Sequence, residues 1–221
     1  MSRAIIKIPM IDYMVLRLSI TCVVVVVLGC LIKSETAYAS TIDDLNIQHI
    51  DSIPFAFVDA AVLHDVPPII LFAVALTESA DYRHEFVSRE VGRRAWPWTL
   101  NIHGQGYRYA SREEACIALM AKLRTTRVID VGIAQLNIRW NPHLFKSGGR
   151  FSNHPCDAFD PYANLEEAAR LLSQHYQVTQ NWLHAAGRYH RPAGGEHAER
   201  YRQAVSREIQ RILNDQTLAG R

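Results

Sequence analysis

The sequence predicts a mainly α-helical single domain with one small β element. Apolar residues at helical spacing recur from Phe55 to Leu213, and several of these segments open on capping residues. The clearest strand-like stretch, Trp98 to Ala110, is short and is broken by a glycine-containing loop. Composition agrees. With 221 residues, 48% hydrophobic and 21% charged, the chain can bury a core, which excludes a disordered chain, a collagen-like repeat and a disulfide miniprotein. A formal net charge of +2 does not suit a strongly basic nucleic-acid binder.

Each element has a local reason. Phe55 to Leu63 reads as a helix that His64-Asp65-Val66-Pro67-Pro68 breaks, and Pro68 suits the first position of the next one. That next helix, Ile69 to Thr77, is apolar all round and is therefore expected to be buried centrally. Trp98 to Ile102 and Tyr107 to Ala110 flank His103-Gly104-Gln105-Gly106, the pattern of a β-hairpin. Ser111 followed by Glu114 is a capping box, and the helix it opens carries Ala115, Ala118, Leu119 and Leu123 on one face. Gly148-Gly149 marks a loop. Asn164 with Glu167 repeats the capping pattern before Leu165, Ala168, Ala169, Leu172 and Tyr176. A short helix over Trp182 to Gly187 follows. After a break at Pro192 to Gly195, a last helix runs from about Glu196 to Leu213, with Tyr201, Val205, Ile209 and Ile212 on one side.

The N-terminus reads as a leader. Arg3, Lys7 and Arg17 precede an apolar run from Leu18 to Ile32, and Ala37-Tyr38-Ala39 stands before Ser40. This is the pattern of a secretory signal peptide over residues 1–39 that engages the inner membrane, leaving 40–221 as the domain. The apolar run is short for a membrane span, and a retained anchor is the alternative. Leu31 and Ile32 extend the run past Cys30, which counts against a lipoprotein site there. In an exported chain Cys116 and Cys156 either pair as one disulfide or stay free, and spacing does not decide between these. From Ser40 to Asp81 there are seven acidic residues and no Lys or Arg; the body that follows is basic, which suits a polyanionic surface or a solvated Arg-rich face.

Three places could carry chemistry. Glu78 follows a run without charge at the C-terminal end of the buried helix. Dry surroundings and the negative helix end both disfavour its charged form, so it is a candidate general acid; the plainer reading is a helix-end glutamate reaching water. In Asp130-Val131-Gly132-Ile133-Ala134-Gln135-Leu136-Asn137, Gly132 permits close backbone approach, and Gln135 and Asn137 can bind sugar hydroxyls or amides; the plainer reading is a turn into a helix. In Gly187-Arg188-Tyr189-His190-Arg191, the Tyr189 hydroxyl could steady a developing charge, or be the tip of a core aromatic. The ten histidines form no His-Glu-x-x-His pattern, and His154-Pro155-Cys156 lacks two further ligands. No metal and no organic cofactor is expected.

Together these segments resemble the lytic transglycosylase family, whose soluble members share the fold of goose-type lysozyme. Ala75-Leu76-Thr77-Glu78-Ser79 resembles the family's segment ending in Glu-Ser. Gly132-Ile133-Ala134-Gln135 stands where the family has Gly-Leu-Met-Gln, Asn164-Leu165 resembles its Asn-Ile/Leu segment, and Tyr189-His190 takes the place of its tyrosine–asparagine pair. Thus Ala134 replaces a methionine and His190 an asparagine. The resemblance spans about residues 53 to 205. It implies a lysozyme-like fold and peptidoglycan glycan strands as substrate, cut at the β-1,4 linkage from N-acetylmuramic acid to N-acetylglucosamine with a 1,6-anhydro product. Glu78 would be acid and then base, Tyr189 would steady the intermediate, and Ser79 and Gln135 would position the acid and the substrate. The Ala95 to Asn101 segment resembles members encoded with conjugative pili and type IV secretion systems, which implies a periplasmic protein with pilus or secretion partners. Asp81 and Asp130 are potential second carboxylates for a lysozyme-like hydrolase; the favoured reading makes Asp130 a turn cap. A non-catalytic wall-binding subunit is the remaining alternative.

Overall fold

The computed structural model describes residues 53–80 and 94–219. The leader, its boundary at Ser40 and Asp81 lie outside the described residues.

Helix α1 (Phe55–Val62) ends at a turn in which Asp65 takes a left-handed φ of 55°. Helix α2 (Pro68–Ser79) starts on Pro68, where the missing N–H removes no helical bond. Nine of its twelve residues are buried, so it must be enclosed on every side. Helices α1, α5 (Pro161–Thr179), α6 (Trp182–His190) and α7 (Glu196–Ala219) do this. Ile69, Ile70, Leu71, Val74 and Leu76 are at most 2% exposed, and each such side chain contributes about 1.5–3 kcal/mol by leaving water. The helix ends because Ala80 turns extended and pairs with Ala95 in an isolated antiparallel bridge. Among the described residues no helix is long and apolar enough to cross a membrane.

The β element is larger than the expected hairpin. Strands β1 (Thr99–Ile102), β2 (Gln105–Arg108), β3 (Ile129–Val131) and β4 (Leu136–Asn137) form one antiparallel sheet in the order β2-β1-β3-β4. The hairpin turn is tighter than its sequence implied: Ile102 pairs with Gln105 across His103-Gly104, both left-handed. Asp130 is therefore a strand residue and caps no turn. Short length and a glycine inside the segment hid β3 and β4 from period-2 reading.

Helix α3 (Arg112–Lys122) opens on the expected cap: the Ser111 hydroxyl accepts from Glu114 N, and the Glu114 carboxylate accepts from Ala110 N. The expected Asn164–Glu167 cap is not one. Helix α5 starts on Pro161, and Asp160 caps it by accepting from Ala163 N at 2.9 Å. Asn164 is released for another task, and Glu167 pairs with Arg170 and Arg150. Helix α6 runs on to His190, so Tyr189 and His190 sit on a helix end. Gly187 lets α7 close onto it, since a Cβ there would stand 3.0 Å from the Ala198 carbonyl. A short helix α4 (Pro142–Phe145) and a 3-10 turn (Pro155–Phe159) complete the fold. Cys116 and Cys156 are disulfide-bonded and join α3 to that turn across 40 residues, a link worth roughly 2–4 kcal/mol.

Candidate active site

The site is built on the loop between β3 and β4. Strand alternation buries Ile129 and Val131 and turns Asp130 to the opposite face. Register then makes two rows across three strands. Leu100, Val131 and Leu136 are paired and buried; Asn101, Asp130 and Asn137 are paired and line a cleft of about 240 Å³. The other wall of this cleft is helical: Glu78 from the last turn of α2, and Tyr189 and His190 from the end of α6.

The loop itself is held by side chains. Its four consecutive carbonyls each accept one side-chain hydrogen bond. Asn164 Nδ2 donates to Val131 at 2.9 Å, Gln135 Nε2 to Gly132 at 2.7 Å, Ser79 Oγ to Ile133 at 2.7 Å, and the Tyr189 hydroxyl to Ala134 at 2.6 Å. Asn164, fully buried, also donates to Ala158 O at 2.7 Å and accepts from Ala134 N at 2.9 Å. Gly132 has φ +87°, and an added Cβ would lie 2.3 Å from Asn164 Nδ2 and 2.6 Å from the Ala158 carbonyl. No side chain fits there. The segments that the sequence set apart thus meet at one loop, and burial makes each bond costly to lose, about 1–3 kcal/mol for a donor or acceptor left bare.

This geometry reassigns some expected roles. Ser79 is fully buried and shares its one proton between the Ile133 and Ala75 carbonyls, and Gly132 packs against Asn164; neither lines the cleft. Asn137 lines it, but its amide donates to Asp130 Oδ1 at 2.6 Å and its oxygen accepts from Trp140 N. It therefore helps to fix Asp130 with one of its two amide hydrogens while it lines the cleft. Gln135 has both amide hydrogens on the backbone, to Gly132 and Thr99, so its carbonyl oxygen is what it offers the cleft. Asn101 and Trp140 were not foreseen. Asn101 needed the register. Trp140, 65% exposed at the rim with Arg139 over its ring at 5.0 Å, was visible only as a lone aromatic.

The two carboxyl groups are held differently. Glu78 is partly buried, with 16% of its side chain exposed. Among the described residues it accepts no hydrogen bond, and His190 Nδ1 stands 3.9 Å from its Oε1. Burial pushes Asp130 up to about 6, with the Glu78 charge adding to the rise and Asn137 opposing it. Burial, then the charges of Glu78 and Asp130, push Tyr189 well above the ordinary tyrosine range, so it stays neutral. Because its hydroxyl donates to the Ala134 carbonyl, its oxygen keeps its lone pairs for other partners. Glu78 raises the pKa of His190, and burial opposes this. His190 stacks on Tyr201 with centroids 4.4 Å apart at 3°. Among the described residues, Cys116, His154 and Cys156 form a group with metal-ligand proximity, but the disulfide leaves no thiolate to bind an ion.

A family model described as Transglycosylase SLT domain matches residues 56–213. No curated protein and no solved structure matches the chain.

Proposed function

The chain belongs to the Transglycosylase SLT domain family, a family of lytic transglycosylases acting on peptidoglycan, and from that premise we propose a specific reaction. The enzyme cleaves the β-1,4 bond from N-acetylmuramic acid to N-acetylglucosamine and releases a 1,6-anhydro end. The observation that carries this reading is the braced loop: it brings a helix-end glutamate and Tyr189 to one cleft with Asp130 and Gln135.

The steps balance without water. Glu78 protonates the bridging oxygen, and the bond from the anomeric carbon to that oxygen breaks. The acetamido carbonyl of the muramyl sugar bonds to the electron-poor carbon and takes up its positive charge. The lone pairs of Tyr189 face that charge. Glu78, now ionised, takes the proton of the primary hydroxyl at C6, whose oxygen displaces the acetamido group. The sugar's own groups supply the nucleophile, so one protein carboxyl suffices where glycosidases usually need two. Gln135 offers its carbonyl oxygen to a sugar hydroxyl or amide, and the exposed indole of Trp140 offers a flat apolar face to a pyranose ring.

A second reading is favoured by one observation: Asp130 is a fixed carboxyl in the same cleft. Ionised, it could orient water for hydrolysis. The disulfide supports an oxidising compartment and hence export to the periplasm. Local opening of the wall for a conjugative pilus or secretion apparatus rests on the resemblance of the Ala95 to Asn101 segment.

Purified sacculi incubated with wild type and Glu78→Gln, with products weighed by mass spectrometry, test this. Anhydro-muropeptides from the wild type, with the rate lowered about 10²–10⁴-fold in Glu78→Gln, are expected. Reducing ends would establish the hydrolase. Binding without release by both proteins would indicate a wall-binding subunit.

A further inference from the structure

We propose that His190 is a positioning residue that shares one proton with Glu78, holding the acid's proton in the open cleft and returning it when a glycan strand fills the site. The inference deepens the functional reading above and rests on it. It begins from placement. Nδ1 of His190 stands 3.9 Å from Glu78 Oε1, and the ring plane is set by stacking on Tyr201. The groups that face His190 come from several elements. Glu78 lies at the end of α2, Asp130 on β3, Tyr201 on α7, and Arg191 and Tyr189 adjoin it in the chain. The Tyr201 hydroxyl also faces Glu78; burial, and then that carboxylate's charge, push it well above the ordinary tyrosine range, so it stays neutral beside the pair.

In the open cleft both partners still meet water: 47% of the His190 side chain and 16% of Glu78 are exposed. Two carboxylates raise the proton affinity of the ring, Glu78 foremost, while burial and Arg191 lower it. In the proposed open state the shared proton sits on the imidazole, the site that both carboxylates favour. A bound glycan strand removes that water. An ion pair held beyond hydrogen-bond distance loses its solvation and gains little Coulomb energy in return, so the uncharged pair becomes favoured. The proton then moves from Nδ1 to Oε1 as the carboxylate turns to close the gap; an N–H bond breaks, an O–H bond forms, and both charges vanish. Glu78 gives this proton to the bridging oxygen and recovers one from the C6 hydroxyl. On product release it passes to His190 again. The cycle consumes no proton and needs no other reactant.

Two measurements test the sharing. The first is the pH profile of kcat/KM on sacculi for wild type, His190→Asn, His190→Gln and Asp130→Asn. A pair that holds one proton stays active until His190 loses it, so the basic limb of the wild type lies above the ordinary histidine value of about 6.5. Both His190 variants should move that limb toward acid by roughly one unit or more, and Asp130→Asn by less. The second is an NMR titration of the His190 ring in wild type and Glu78→Gln, where the midpoint should fall in the variant. A uniform loss of rate in both His190 variants with unmoved limbs would overturn the proposal, as would an unchanged midpoint in Glu78→Gln. If the wild type released no glycan product, the functional reading would fall, while the midpoint would still decide whether the two groups share a proton.

Discussion

The helical wall and the sheet wall of the cleft each present one carboxyl group, and they hold it by opposite means. Glu78 ends a helix, accepts no hydrogen bond from the described residues, and faces His190 across 3.9 Å. Asp130 lies mid-strand, between two cross-strand neighbours, with Asn137 bonded to it at 2.6 Å. A group that must give a proton to one oxygen and take another from a second oxygen has to turn between them. The helix end permits that and the strand does not. The difference teaches that burial alone does not mark a proton donor. Burial raises Asp130 to about 6, yet it is the pinned member of the pair. Its charge acts on Tyr189 and His190 from a fixed place.

The sharpest way to break the comparison is at the seam joining the walls. Gly132→Ala forces a methyl group into Asn164 and the Ala158 carbonyl at a left-handed φ. It should cost roughly 4 kcal/mol, strain and overpacking together. Chemical denaturation would read this, and a cost under about 1 kcal/mol would mean that the loop is not rigidly braced.

A smaller effect follows from the buried carboxyl of Asp130. A carboxyl whose folded pKa lies above its unfolded value contributes stability at pH below that unfolded value, and loses it as pH rises through the folded one. For Asp130 the window runs from 3.8 to about 6. Above it the buried charge opposes folding by about 3 kcal/mol or less. Asp130→Asn should therefore raise the melting temperature at pH 8 and leave it unchanged at pH 3, because the neutral amide can still meet Asn137. If the lyase reading is right, the variant also keeps its anhydro product. Equal melting shifts at both pH values would show that the aspartate stays charged throughout.

The smallest effect belongs to the rim. Trp140 is 65% exposed and carries little of the fold. Trp140→Ala should leave stability within about 0.5 kcal/mol and raise KM for glycan strands about fivefold, the worth of one aromatic contact. A fall in kcat with KM unchanged would move the indole from substrate binding to the chemistry.

Much of the architecture was legible from local signals. The uncharged run after Pro68 needed burial on every side, and it is the central helix. Ser111 and Glu114 cap as their spacing implied, and Tyr201, Val205, Ile209 and Ile212 line the inner face of the last helix. Local signals failed where two of them competed. Asn164 looks like a cap because it precedes an apolar stripe, but Asp160-Pro161 starts the helix one turn earlier and frees Asn164 for the loop. Strands β3 and β4 are three and two residues long, too short for their period to show.

The sequence by itself determined which residues are apolar at helical spacing, and so the helices, the central position of α2 and the place of Glu78 at its end. It also set Glu78, Ser79, Gly132, Gln135, Asn137 and Tyr189 apart as candidates, and read Asn164 only as a cap. Only the tertiary structure decided what they do. Whether an amide binds sugar or backbone depends on which carbonyl lies within 3 Å, and whether a carboxyl is free or pinned depends on strand register. Such distances arise between segments tens of residues apart, and no local periodicity encodes them.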